Sequence, residues 1–84
     1  MEIDNRIKEL IAVGASLTAN CQPCIQYHAA KALEFGAEAS DIATAIEVGK
    51  QVRKGAAGKM DAFAASLKDV PQTPAEVKRT ICCG

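Results

Sequence analysis

The stretch ANCQPCIQYHAAKA, residues 19–32, holds the side chains of this chain that are best suited to redox or metal chemistry. Cys21 and Cys24 have two residues between them, and at the first turn of a helix this spacing brings two sulfur atoms close enough to form a disulfide. The free N–H groups and the positive end of the dipole at a helix start stabilise a thiolate. His28 follows Cys24 by one helical turn, where an imidazole can exchange a proton with the thiol. The motif predicts reversible thiol–disulfide chemistry.

The cysteines also leave two alternatives open. Cys21, Cys24, Cys82 and Cys83 could make the protein a metal-binding module for zinc or an iron–sulfur cluster, although the side chains of two adjacent cysteines diverge and suit one ion poorly. Alternatively, the protein is an assembly domain with buried, unreactive thiols. Ile25 follows Cys24 where a covalent haem motif requires histidine. We expect no metal and no cofactor, and we consider Cys82 and Cys83 as candidates for an electron shuttle to the first pair.

Length and composition predict one small domain, because 84 residues cannot build two cores. We expect it to span residues 1–84, with a core over about 1–67 and a C-terminal helix and CCG tail over 68–84. Hydrophobic residues make up 49% of the chain but aromatic ones only 4%, so the core is small and oligomerisation is expected to support it. Ten basic residues balance ten acidic ones, which disfavours nucleic-acid binding. The charged start MEIDNRIKEL lacks an apolar run, so we expect a cytoplasmic protein with no membrane partner.

The spacing of apolar residues predicts an all-α fold. A second helix is expected to begin at about Gln22, because Pro23 suits a first helical turn, and to stop at Gly36. Ser40 or Asp41 suits the start of a third helix. The apolar stripe of the first helix comprises Ile3, Ile7, Leu10, Gly14, Leu17 and Cys21.

The third helical pattern is long for so small a domain, running from Ile42 to Leu67. Within it, the segment KGAAGK carries Gly55 and Gly58, which we expect either to break the helix in two or to let another backbone approach closely. Thr73 and Pro74 then open a short last helix that reaches the terminal CCG.

The segment TANCQPCIQYHAAKALEFGAEASDIATAI, residues 18–46, resembles the carboxymuconolactone decarboxylase family, and within it the alkylhydroperoxidase D-like branch. The resemblance covers most of residues 1–65. That branch is marked by a glutamate, about a dozen helical residues, a CxxC pair and a histidine, which correspond here to Glu9, Cys21, Cys24 and His28. The resemblance implies an all-α homo-oligomer, a trimer or hexamer, whose second cysteine attacks through a sulfenic acid or mixed disulfide while the first resolves it.

Carried over, Cys24 attacks, Cys21 resolves, and His28 with Glu9 relays protons. Electrostatics at a helix start favours Cys21 as the more reactive thiol, whereas the resemblance favours Cys24. The chain departs from the family pattern at Pro23, where peroxidases of the branch often carry histidine. We therefore predict a thiol–disulfide oxidoreductase that reduces disulfides, and hydroperoxides only weakly, with electrons from a thioredoxin-like protein or a low-molecular-weight thiol. A decarboxylase role is disfavoured because carbanion chemistry does not need the cysteine pair.

Overall fold

Three helices make up the fold. The computed structural model describes residues 2–68, in which α1 spans Asn5–Thr18, α2 spans Gln22–Glu34 and α3 spans Ala39–Ser66. The described residues contain no strand, which confirms the all-α prediction. The predicted last helix and the tail with Cys82 and Cys83 lie outside the described residues.

Local side-chain chemistry sets both ends of α1. The Asp4 carboxylate accepts a hydrogen bond from the backbone N–H of Ile7 at 2.9 Å and caps the first turn. At the other end Asn20 adopts a positive φ of 58°, which asparagine tolerates better than most residues. The expectation that Cys21 closes the apolar stripe of the first helix was wrong, because α1 ends at Thr18 and the chain turns at Asn20.

The connection from α2 to α3 follows the predicted chemistry with one correction. Pro23 lies in the first turn of α2, and Gly36 ends the helix with a φ of 95°. The cap of α3 is Glu38, whose side chain accepts a backbone N–H while its own backbone N–H donates to Asp41 Oδ2 at 3.0 Å. This reciprocal capping box begins the helix at Ala39, before the predicted Ser40 or Asp41, because Asp41 acts from the third helical position.

Helix α3 runs unbroken through Gly55 and Gly58, so the predicted break is wrong. No backbone among residues 2–68 approaches these two glycines, since a Cβ built at either one meets nothing within 4 Å. The close approach occurs instead at Gly49, where a Cβ would lie 2.6 Å from the carbonyl oxygen of Gly14. This contact allows α1 and α3 to pack closely.

Helix α1 lies between the other two helices and packs against both of them, whereas α2 and α3 scarcely touch. The interior of the described part is accordingly small, and even Ile11, Val48 and Val52 remain more than half exposed. Residues 54–66 of α3 are exposed throughout. Within residues 2–68, no helix combines the length and apolar character needed to cross a bilayer. Among residues 2–68, the buried side chains are those of Val13, Ser16, Ala32 and Ala37.

Candidate functional site

The turn between α1 and α2 places Cys21 at the centre of the site. The backbone N–H of Cys21 donates to the carbonyl of Ser16 at 3.0 Å, and that of Asn20 donates to Leu17 at 3.0 Å. These two bonds form a Schellman motif, with Asn20 in its left-handed position. Cys21 then serves as the N-cap residue of α2. One residue therefore ends the first helix and begins the second, which holds its side chain at the junction of both.

Cys21 and Cys24 are joined by a disulfide, with their Cα atoms 5.2 Å apart. The spacing of the pair and the start of α2 at Gln22 both agree with the sequence prediction. Cys21 makes no side-chain capping hydrogen bond in this oxidised form. Pro23 has no backbone N–H, so the N–H of Cys24 is the donor that a sulfur at the N-cap position can reach. The arrangement is suited to stabilise a thiolate on Cys21 after reduction.

Glu9 and His28, which lie on different helices, are in direct contact. His28 Nδ1 lies 2.8 Å from Glu9 Oε1, and the two side chains are 30% and 17% exposed. The carboxylate accepts the hydrogen bond, so Nδ1 carries a proton and Nε2 is the acceptor of the neutral ring. His28 lies one turn after Cys24 on α2. The four residues that the resemblance assigned to the site thus form two contacting pairs, Cys21 with Cys24 and Glu9 with His28.

Tyr27 of α2 packs against the imidazole of His28, and Lys31 lies beside the Tyr27 ring. The ring of Tyr27 meets that of His28 edge to face, with centroids 5.0 Å apart, and Lys31 Nζ lies 5.8 Å from the Tyr27 ring centroid. The pKa of Lys31 is raised, first by its hydrogen bond to Glu34 and then by the nearby charges, among them that of Glu9. Lys31 therefore stays positively charged near the carboxylate partner of His28.

Arg53 is the residue near the cysteines that the sequence did not point to. Its Nη1 atom donates to Asn20 Oδ1 at 2.7 Å and to the Leu17 carbonyl at 3.4 Å. The guanidinium comes from α3, one turn after Gly49, and so lies on the face that approaches α1. The type of residue at position 20 could have indicated a turn, because asparagine adopts a positive φ more readily than most residues. Arg53 had none, since a single arginine in a helix is ordinarily a solvated charge.

Cys82 and Cys83 lie outside the described residues, so their expected role as an electron shuttle stays a prediction. The metal alternative requires these two cysteines together with Cys21 and Cys24, and the geometry does not test it either. Within residues 2–68 there is no group of three or more histidine, cysteine and acidic side chains that could hold a metal ion. Inside that part of the chain, the cysteines form a disulfide and Glu9 forms a hydrogen bond with His28.

Comparison with known proteins supplies independent evidence of ancestry. The family model described as "Carboxymuconolactone decarboxylase family" matches residues 2–69, which includes all three helices and every residue of the site. Searches of the curated proteins and of the solved structures find no match. The match covers far more than half of the 84 residues. The chain therefore belongs to the carboxymuconolactone decarboxylase family.

Proposed function

We propose that the protein is a thiol–disulfide oxidoreductase of the alkylhydroperoxidase D-like type, which reduces disulfides and, weakly, hydroperoxides. One observation carries this proposal. The bonded pair Cys21–Cys24 begins a helix whose next turn presents His28, and Glu9 holds that histidine at 2.8 Å. A redox-active pair requires a thiolate and a group that exchanges its proton, and both are provided within one helical turn.

In the proposed reaction the reduced pair transfers two electrons to a disulfide substrate. The Cys24 thiolate attacks one substrate sulfur, forms a mixed disulfide and releases the first substrate thiolate, which is then protonated. The Cys21 thiolate attacks the Cys24 sulfur and releases the second substrate thiol, which leaves the Cys21–Cys24 disulfide described here. With a hydroperoxide, Cys24 becomes a sulfenic acid as an alcohol leaves, and condensation with Cys21 releases water.

His28 and Glu9 are proposed to move the proton in each step. The carboxylate of Glu9 orients the ring through Nδ1, which leaves Nε2 to take the proton of the Cys24 thiol and return it to the leaving group. The partly buried position of Glu9 strengthens this contact relative to one in open water. Pro23 supports disulfide exchange by setting the start of α2, but it supplies no proton donor of its own.

We propose further that the functional unit is a homo-oligomer, a trimer or hexamer, that uses a thioredoxin-like protein or a low-molecular-weight thiol as electron donor. An open apolar groove of about 800 Å³ runs between α1 and α3, with Ile11, Val48 and Val52 among its lining residues. Large apolar side chains left more than half exposed support burial against further copies. Sedimentation velocity tests this, and a monomer at micromolar concentration would contradict it.

The proposed function is tested by a redox titration of the full chain, quenched with an alkylating reagent and read by peptide mass spectrometry. We expect reversible loss of both alkylation sites on the peptide with Cys21 and Cys24, at a potential between roughly −300 and −200 mV. The variant C24S is expected to lose disulfide reductase activity. Full activity in C24S, or thiols that stay alkylatable at every potential, would overturn the proposal.

The variant H28Q tests the proton relay, and E34Q is its control. Glu34 is an exposed carboxylate on α2 that pairs with Lys31, so its loss removes a negative charge from the same helix without touching His28. We expect H28Q to slow turnover and E34Q to leave it near the wild-type rate. Equal rates in H28Q and wild type would remove His28 from the mechanism while leaving the cysteine chemistry intact.

A further inference from the structure

A small pocket opens beside Cys21. It has a volume of about 200 Å³ and is formed by the end of α1, the start of α2 and Arg53 of α3. This volume is well above the roughly 15 Å³ that a single water molecule requires. Its lining residues include the apolar Leu17 and Ile25 together with Cys21 and Arg53. The pocket can therefore accept a short aliphatic chain.

Arg53 lines this pocket, and most of its N–H groups make no hydrogen bond to residues 2–68. Both of its hydrogen bonds, to Asn20 and to the Leu17 carbonyl, are made by Nη1, although a guanidinium carries five N–H donors. None of the ion pairs among residues 2–68 includes Arg53. The Asn20 side chain and the Leu17 carbonyl both accept from Nη1 and so fix the position of the guanidinium. An anionic group in the pocket would meet an oriented donor whose charge no carboxylate of this part of the chain neutralises.

We propose that this pocket binds the electron donor, and that the donor is a small aliphatic thiol that carries an anionic group such as a carboxylate. The inference rests on the proposed function and adds the chemical class of the reductant. The anion pairs with Arg53, the aliphatic chain contacts Leu17 and Ile25, and the thiolate reaches the Cys21 sulfur. Such a donor approaches the disulfide from its Cys21 end. His28 lies at the other end, one turn beyond Cys24.

The reductive step balances with two donor thiols. The first donor thiol loses its proton to solvent and attacks Cys21 Sγ as the thiolate, the bond between Cys21 and Cys24 breaks, and Cys24 leaves as a thiolate that takes up a proton from solvent by way of His28 Nε2. A second donor thiolate attacks the sulfur of the bound donor and releases Cys21 as a thiolate. The two donor molecules leave as their disulfide, oxidised by two electrons, and the protein regains its dithiol. Cys24 is thereby returned to the state in which it attacks substrate.

The test compares two thiols with terminal groups of different charge, mercaptopropionate and its neutral amide, mercaptopropionamide. Each reduces the oxidised full chain anaerobically, samples are quenched with N-ethylmaleimide, and mass spectrometry follows loss of the Cys21–Cys24 disulfide. For each protein we take the rate with mercaptopropionate divided by the rate with mercaptopropionamide. The intrinsic reactivities of the two thiols affect this ratio equally in every variant, so they cancel when the ratios of two variants are compared. We expect this ratio to fall about three- to tenfold in R53Q, the range of a partly exposed charged contact. Added salt should shrink the wild-type ratio.

Two controls separate charge from structure. R53K retains the cation and should retain most of the ratio, whereas K54Q removes a positive charge from the neighbouring, exposed position of α3 and should leave the ratio unchanged. A purely structural role of Arg53 would slow both thiols equally in R53Q and leave the ratio at the wild-type value. That result would overturn the proposal.

Trapped intermediates provide a second readout. The quenched peptide should carry mercaptopropionate on Cys21 and maleimide on Cys24. The reverse arrangement would overturn attack at Cys21, and a wild-type disulfide that resists both thiols would overturn the donor class. These outcomes are distinct from failure of the proposed function, which is read from the redox titration and from the activity of C24S with disulfide substrates.

Discussion

Substitution of Gly49 by alanine tests whether the close contact between α1 and α3 holds the site together. Gly49 is buried, and a Cβ there would lie 2.6 Å from the carbonyl oxygen of Gly14 and 3.0 Å from the Cβ of Leu17. Both obstacles belong to the rigid part of α1 rather than to the end of a flexible side chain. Relief therefore requires α1 to move away from α3.

The magnitude follows from opposing contributions. Alanine gains about 1 kcal/mol of helix propensity over glycine in a helix interior. Overpacking costs about 1–3 kcal/mol, and contacts this short with backbone fall at the upper end of that range. Separation of the helices also weakens the hydrogen bond of Thr18 Oγ1 to the Gly49 carbonyl, 3.0 Å long, which contributes about 1 kcal/mol. We expect a net loss of about 3 kcal/mol in the free energy of unfolding.

Gly55→Ala is the matched control, because a Cβ at this position of the same helix meets nothing within 4 Å. It should raise the free energy of unfolding by about 1 kcal/mol through helix propensity alone. For a domain of this size, Tm should fall by roughly 12–24 °C in G49A and rise by roughly 4–8 °C in G55A.

The assay is urea unfolding followed by far-ultraviolet circular dichroism at one fixed protein concentration. Sedimentation velocity on each variant establishes that the association state is unchanged, since association alters apparent stability. If G49A were as stable as the wild type, the close approach of the two helices would be refuted. If G55A were destabilised instead, the open surroundings of that position would be refuted.

Three further outcomes follow from the contacts described. E9Q should lower the disulfide reductase rate at neutral pH by about tenfold or more, because His28 loses its charged partner, and an unchanged rate would separate Glu9 from the chemistry. D4A should reduce the free energy of unfolding by about 1 kcal/mol in urea titrations through loss of the α1 cap, with wild-type stability as the contrary result. G36A should destabilise by about 1 kcal/mol or more, since its φ of 95° is unfavourable for alanine, whereas G36N should lose less.

The ends of α2 could be predicted from single residues of the sequence. Pro23 predicted the start of α2 and Gly36 its stop, because each constrains the backbone at its own position. The N-cap of α3 was predicted two residues too late, at Ser40 instead of Glu38. The prediction looked for a serine followed by an acid, whereas here Glu38 and Asp41 form the reciprocal capping box. The interpretation of Gly55 failed for a different reason. Glycine lowers helix propensity only modestly, and good helix formers on both sides keep α3 continuous.

The sequence by itself determined the helical class, the redox spacing of Cys21 and Cys24, and the position of His28 one turn later, because these depend on residues within a few positions of one another. Only the tertiary structure decided what surrounds them. In the folded chain His28 is hydrogen-bonded to Glu9, which lies 19 positions away in the sequence, and Arg53 is hydrogen-bonded to Asn20, which lies 33 positions away. Periodicity says which face of a helix is apolar, whereas the distance between two helices depends on how closely their backbones pack, as at Gly49.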